Sequence, residues 1–168
     1  KCSYFTEGFG VEMIILGVDP GTAITGYGAL EYKNGNFYLK SHGCIKTLSS
    51  LSPPQRLQKI YLEILDLICL IQPDEIAVEE LFFNTNVRTA MAVGQARGVI
   101  LLACAQSNLC VHEYTPLQVK QAVVGYGRAK KEQVQFMVKA ILGLSEVPKP
   151  DDAADALALA ICHAHNRN

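Results

Sequence analysis

The sequence predicts an α/β fold, a mixed five-stranded sheet flanked by helices, and three observations predict it. Short apolar runs end at turn-forming residues, as in Met13–Val18 followed by Asp19, Pro20 and Gly21. Leu57, Ile60, Tyr61, Ile64, Leu65, Ile68 and Ile71 recur at the spacing of one helical face. From there on, strand-like and helix-like segments alternate, which is the pattern of a sheet covered by helices.

In chain order, Met13 to Asp19 is a buried strand, and Thr25 to Tyr32 returns beside it as a hairpin. Asn34-Gly35 turns the chain into a third strand, Asn36 to Ile45. Pro53 to Ile71 is an amphipathic helix whose start is marked by Ser52-Pro53-Pro54 and whose end is marked by Pro73-Asp74. Glu75 to Glu79 is a short fourth strand. Thr85 to Gln106, rich in Ala and Gly, is a second helix able to approach a neighbour closely. Leu109 to Tyr114 is the fifth strand, and Thr115-Pro116 opens a short helix through Val124. Gly125 to Lys131 is a basic, glycine-bearing loop, Glu132 to Leu142 a helix capped by Gly143, and Asp151 to His165 the last helix.

Composition bounds the function. The 168 residues fit one domain with a proper core, and 49% hydrophobic against 18% charged residues excludes a disordered chain. No apolar stretch reaches the length of a membrane span. Residues 1–12 have no signal-peptide pattern and read as a leader or remnant, leaving 13–168 as a single domain and the cytoplasm as the expected compartment. Six cysteines without C-x-x-C spacing argue for reduced, mostly buried thiols rather than a zinc cluster. A net charge of −1 means that any polyanion site is a local basic patch, a metal site, or both.

The chemistry points to carboxylates. Asp19 ends the first strand and Glu79 the fourth, while Asp152 and Asp155, three apart, share a face at the start of the last helix. Taken alone, Asp19 fits an Asx turn, and acids in a first helical turn complement the helix dipole. Asp155 fits that second explanation less well, because Ala153, Ala154, Ala156, Leu157 and Ala160 make its helix an apolar one. If the first and fourth strands are neighbours and the last helix delivers its first turn to their carboxyl ends, all four acids meet at one edge of the sheet. Four carboxylates side by side raise one another's pKa and call for hard cations. Two Mg²⁺ ions about 3.5–4 Å apart suit phosphodiester cleavage.

The segments GVDPGTAITGYG, AVEELFFN, GQARGV, TPLQVKQAVVGYGRAKKEQVQ and DDAADALALAICHAH resemble, in order and over Met13 to His165, the RuvC crossover-junction endonuclease family. The resemblance implies a ribonuclease-H-like fold, a homodimer, and Mg²⁺-dependent paired nicking of a Holliday junction (two ions per site, with Mn²⁺ as the other candidate). It matches Asp19, Glu79, Asp152 and Asp155 to the metal-holding catalytic acids, with Glu80 and Asp151 as neighbouring acids. Lys120 and Lys131 match basic residues near the scissile phosphate, Lys131 as a catalytic residue, and Arg128 and Lys130 extend that DNA-binding stripe. Phe82 matches an aromatic that wedges between bases, with Phe83 beside it. By burial preference alone both phenylalanines fit a core, but the polar Asn84, Thr85 and Asn86 place them in a loop. Thr85 stands where many family members are more basic, which predicts weaker junction binding at high salt. The resemblance also suggests a branch-migration motor as partner. His163 and His165 are expected to serve packing and the helix C-terminus rather than ligation. Two other functions share the pattern, a ribonuclease-H-like nuclease for structured RNA and a non-catalytic junction-binding protein. Four intact acids argue against the latter.

Overall fold

Five strands form one mixed sheet in the order β3-β2-β1-β4-β5, as seen in a computed structural model that describes residues 12–80 and 87–167. β1 (Glu12–Asp19) pairs antiparallel with β2 (Ile24–Lys33), and β2 with β3 (Asn36–Lys46). On its other side β1 runs parallel to β4 (Glu75–Glu79), which runs parallel to β5 (Cys110–Tyr114). The expected neighbours are therefore neighbours, and their carboxyl ends open on the same edge. β1 starts one residue before Met13, because Glu12 continues the ladder opposite Lys33 and its carboxylate lies 2.7 Å from the Lys33 ammonium.

The period-2 alternation of β1 divides the core. Leu16 and Val18, with Ile76 and Val78 of β4, pack under α1 (Pro53–Ile71) and α2 (Val87–Gln106), against Ile60, Ile64, Ala96, Ile100 and Cys104. Met13 and Ile15, with Ala77 and Tyr114, pack on the opposite face under α5 (Asp151–Asn166), which α3 (Pro116–Val124) and α4 (Lys131–Ile141) cover from outside. α5 is buried almost all round from Ala153 to Ala164, which is why its sequence is apolar without a clear polar stripe.

The helix starts use side-chain caps as the sequence indicates. The Gln55 side-chain carbonyl accepts from the Ser52 N–H at 2.9 Å, and Gln118 and Thr115 satisfy each other's N–H reciprocally at the head of α3. α4 begins at Lys131 rather than Glu132 because Gln133 caps the Lys130 N–H at 2.8 Å. The thiols depart from expectation. Cys104 and Cys162 are buried and Cys44 is half-buried, but Cys69 and Cys110 are exposed, because one lies on the outer side of α1 and the other at the head of an edge strand. No described helix is long and apolar enough to cross a membrane.

Candidate active site

Asp19, the last residue of β1, points to the α5 side of the sheet, since it follows Met13, Ile15 and Gly17 in the alternation. Glu79, the last residue of β4, has the same parity as Glu75 and Ala77 and faces the same way. What brings α5 onto them is a bed of glycines. A methyl built on Gly17 would lie 2.0 Å from the Ala156 carbonyl oxygen, and one on Gly26 2.0 Å from that of Asp152. Gly26 pairs with Asp19 across the β1–β2 ladder, so the backbone of Asp152 is seated directly beside the first-strand acid. The Asx-turn explanation does not hold for Asp19. Its turn is closed by the Thr25 hydroxyl, which donates to the Gly21 carbonyl at 2.7 Å.

Asp19, Glu79 and Asp155 line one open cleft together with Lys120 and Lys131, floored by Val119, Val134 and Ala158. Asp152 is not among the lining residues, but its charge is felt at Asp19. Burial, reinforced by the carboxylates of Glu79, Asp155 and Asp152, pushes the Asp19 pKa up to about 8. Burial also raises Glu79, with Asp155 adding to it and Lys120 and Lys131 working the other way. Asp155 is raised by burial too, although Lys131 opposes the shift with a contact of 2.9 Å. Burial would lower Lys131, but its hydrogen bond to Asp155 and the surrounding acids outweigh that and raise it. Asp151 is exposed and lies 3.6 Å from the same ammonium. Glu80 is exposed.

The cleft fits hard cations on chemical grounds. Three inward carboxylates offer only oxygen donors, they resist joint ionisation, and a lysine already serves one of them as counter-charge. Among the described residues these acids nevertheless do not close to a single tight donor set. The group whose donor atoms all lie within 4.8 Å of one another is Glu75, His112 and His163, elsewhere in the fold.

The family model for the crossover junction endodeoxyribonuclease RuvC matches residues 15–163, nearly the whole of this fold and every acid of the cleft. This chain belongs to the RuvC family. The RuvC crossover junction endodeoxyribonucleases of Pelotomaculum thermopropionicum and Alkaliphilus metalliredigens are 63% and 60% identical to it over 154 residues, each alignment covering 92% of this chain and 94% of the relative. Thermus thermophilus RuvC, solved in complex with a Holliday junction substrate, matches with a TM-score of 0.88 at 38% identity, over 92% of this chain and 94% of that one. The mixed five-stranded sheet with its flanking helices is thus the ribonuclease-H-like fold of RuvC.

Of the basic residues expected in this RuvC-family chain, Lys120 and Lys131 reach the cleft, while Arg128 and Lys130 are exposed in the loop leading to it. Phe82 and Phe83 lie outside the described residues. Sequence reasoning missed two features. The first is the glycine bed, whose signal was Gly26 and Gly28 two apart on a strand and so on one face. The second is a polar network at the other end of α5, where the Tyr114 hydroxyl lies 2.7 Å from His163 Nδ1 and His163 Nε2 lies 2.5 Å from Glu75. Its members are 88 and 49 residues from His163, so no local pattern announces it.

Proposed function

We propose that this RuvC-family endodeoxyribonuclease resolves four-way DNA junctions through Asp19, Glu79, Asp152 and Asp155, which hold two Mg²⁺ ions, with Mn²⁺ as a substitute. The observation that carries the reading is the meeting of Asp19, Glu79 and Asp155 in one cleft with Lys120 and Lys131, where burial first and the neighbouring carboxylates second push the Asp19 pKa up to about 8. Such a site gains from a dication at each acid in turn. When bound, the ions supply an activated water and neutralise charge on the phosphate.

The chain's own side chains do the rest. Asp19 gives up its proton as a condition of binding, which ties activity to pH. Lys131 holds Asp155 in place and, with Lys120, offers positive charge to the scissile phosphate. Arg128, Lys130, Phe82 and Phe83 bind the junction outside the reacting bond. Paired cuts require two such sites, and a homodimer with two-fold symmetry supplies them. Support for that comes from α2, where Met91, Gln95, Gly98 and Leu102 form an exposed face at helical spacing, open enough at Gly98 that an added methyl meets nothing within 4 Å. Residues 13–168 act as the single nuclease domain, in the cytoplasm, with a branch-migration motor as partner.

A synthetic four-way junction and a structured RNA, each incubated with Mg²⁺ and with chelator, test the reading. We expect symmetric paired nicks in the DNA junction alone, only when Mg²⁺ is present. Cleavage of the RNA instead, or junction cleavage in chelator, would contradict it.

A further inference from the structure

At the opposite end of the sheet from the acidic cleft, three elements converge on a second set of donors. Glu75 opens β4, His112 lies in β5 beside Ala77 in the parallel register, and His163 is near the end of α5. Glu75 and Glu79 are four residues apart on one strand, so the two sites are separated by about 13 Å. His163 is buried, while the His112 side chain is 41% exposed with its Nε2 turned inward.

We propose that Glu75, His112 and His163 form a structural binding site for a borderline transition-metal ion of the zinc class, separate from the catalytic acids. Their donor atoms lie within 4.8 Å of one another. His112 Nε2 is 3.5 Å from Glu75 Oε2, and it is a buried nitrogen without a hydrogen-bond partner. Ligand atoms about 2.0–2.2 Å from a tetrahedral ion stand about 3.3–3.5 Å apart, so this pair already has the spacing. His163 Nε2 is 2.5 Å from the same oxygen, at hydrogen-bond distance. An ion that replaces the hydrogen bond opens that pair by about 1 Å.

The surroundings favour ligation. Tyr114 OH lies 2.7 Å from His163 Nδ1, the kind of outer hydrogen bond that fixes a ligating imidazole's tautomer and orientation. The His112 and His163 rings sit side by side with centroids 4.4 Å apart. Burial lowers the His163 pKa, against the pull of Glu75, and so favours the neutral imidazole a metal needs. Arg167 contacts the other carboxylate oxygen, Oε1, at 3.0 Å, which leaves Oε2 to the histidines and limits how tightly a dication binds. Two imidazoles select against Mg²⁺, so the site is selective for its own ion while Mg²⁺ serves the cleft. The bound ion would pin the C-terminal turn of α5 to β4 and β5.

The test is calorimetric titration of the full chain with Zn²⁺ in excess Mg²⁺, followed by the visible absorption of the Co²⁺ form. One ion per chain is expected in the wild type and in Asp19→Asn, with at least tenfold weaker binding in His112→Ala and in Glu75→Gln. His112 is half-exposed, and unchanged circular dichroism of His112→Ala without metal confirms its fold. Wild-type Zn²⁺ binding by His112→Ala would overturn the proposal by placing the ion on other groups. Absence of Zn²⁺ binding by the wild type would overturn it by reducing the cluster to a hydrogen-bond network.

Discussion

A carboxylate at the end of a core strand, with three others around it, is a destabilising group kept for a purpose. Burial comes first among the causes that push Asp19 up to about 8, and the charges of Glu79, Asp155 and Asp152 follow. The folded state therefore holds the Asp19 proton more tightly than the unfolded chain, where the pKa is about 3.9. The resulting stability is complete below that unfolded value and is lost as pH rises through about 8. In metal-free protein, Asp19→Asn removes this titration. Thermal melts should find the variant more stable than wild type by about 2 kcal/mol near pH 8, with the gap closing towards pH 4. A gap that widened towards acid pH would mean that Asp19 is stabilised as an anion instead. That Asp19 and Glu79 end strands was legible from turn chemistry, and Asp155 stood out as an acid within an apolar helix. Lys131 was legible only through the family resemblance, since nothing in a local basic run says which ammonium turns inward.

Between elements, the decisive contact is that of α5 with the glycines of β1 and β2. Helix and sheet ordinarily keep side chains between them, but Gly17, Gly26 and Gly28 let the α5 backbone lie against the strands. This close approach brings Asp152 and Asp155 to the acids at the strand ends. In Gly26→Ala the new methyl would stand 2.0 Å from the Asp152 carbonyl oxygen, backbone that has to move. Overpacking of this kind costs about 1–3 kcal/mol, and a shift of about 1 Å at a catalytic group costs about 10²-fold in rate. The expected result is a folded protein whose junction nicking falls on the order of 100-fold while junction binding stays within a few-fold of wild type. Wild-type nicking by Gly26→Ala would show that the seating of α5 does not set the acids. Strand and helix extents were largely readable here, since Pro53–Ile71 and Glu75–Glu79 are both predicted and found. The α5 seating was not, because it depends on which strand lies under which helix. Exposed Cys69 and Cys110 escaped for a related reason, apolar context in sequence being no measure of which face a residue takes.

For the molecule as a whole, a net charge of −1 sets the terms on which it meets DNA. General attraction to a polyanion is weak, and the proposed function therefore assigns binding to the cations around the cleft, Lys120, Arg128, Lys130 and Lys131, and to shape. The same balance distinguishes a nuclease from a simple binder, because a binder gains nothing from carboxylates facing phosphate. The mixed sheet, the family match over residues 15–163 and the likeness to a RuvC solved with its junction agree with that distinction. The most direct measurement is single-turnover cleavage of a four-way junction in Mg²⁺ by Asp19→Asn, Glu79→Gln and Asp155→Asn, with junction affinity measured in parallel. Cleavage should fall at least about 10³-fold in each variant while affinity is kept or strengthened, since a negative charge is removed. Near-wild-type cleavage by any of the three would contradict the convergence of these acids into one cation-holding site.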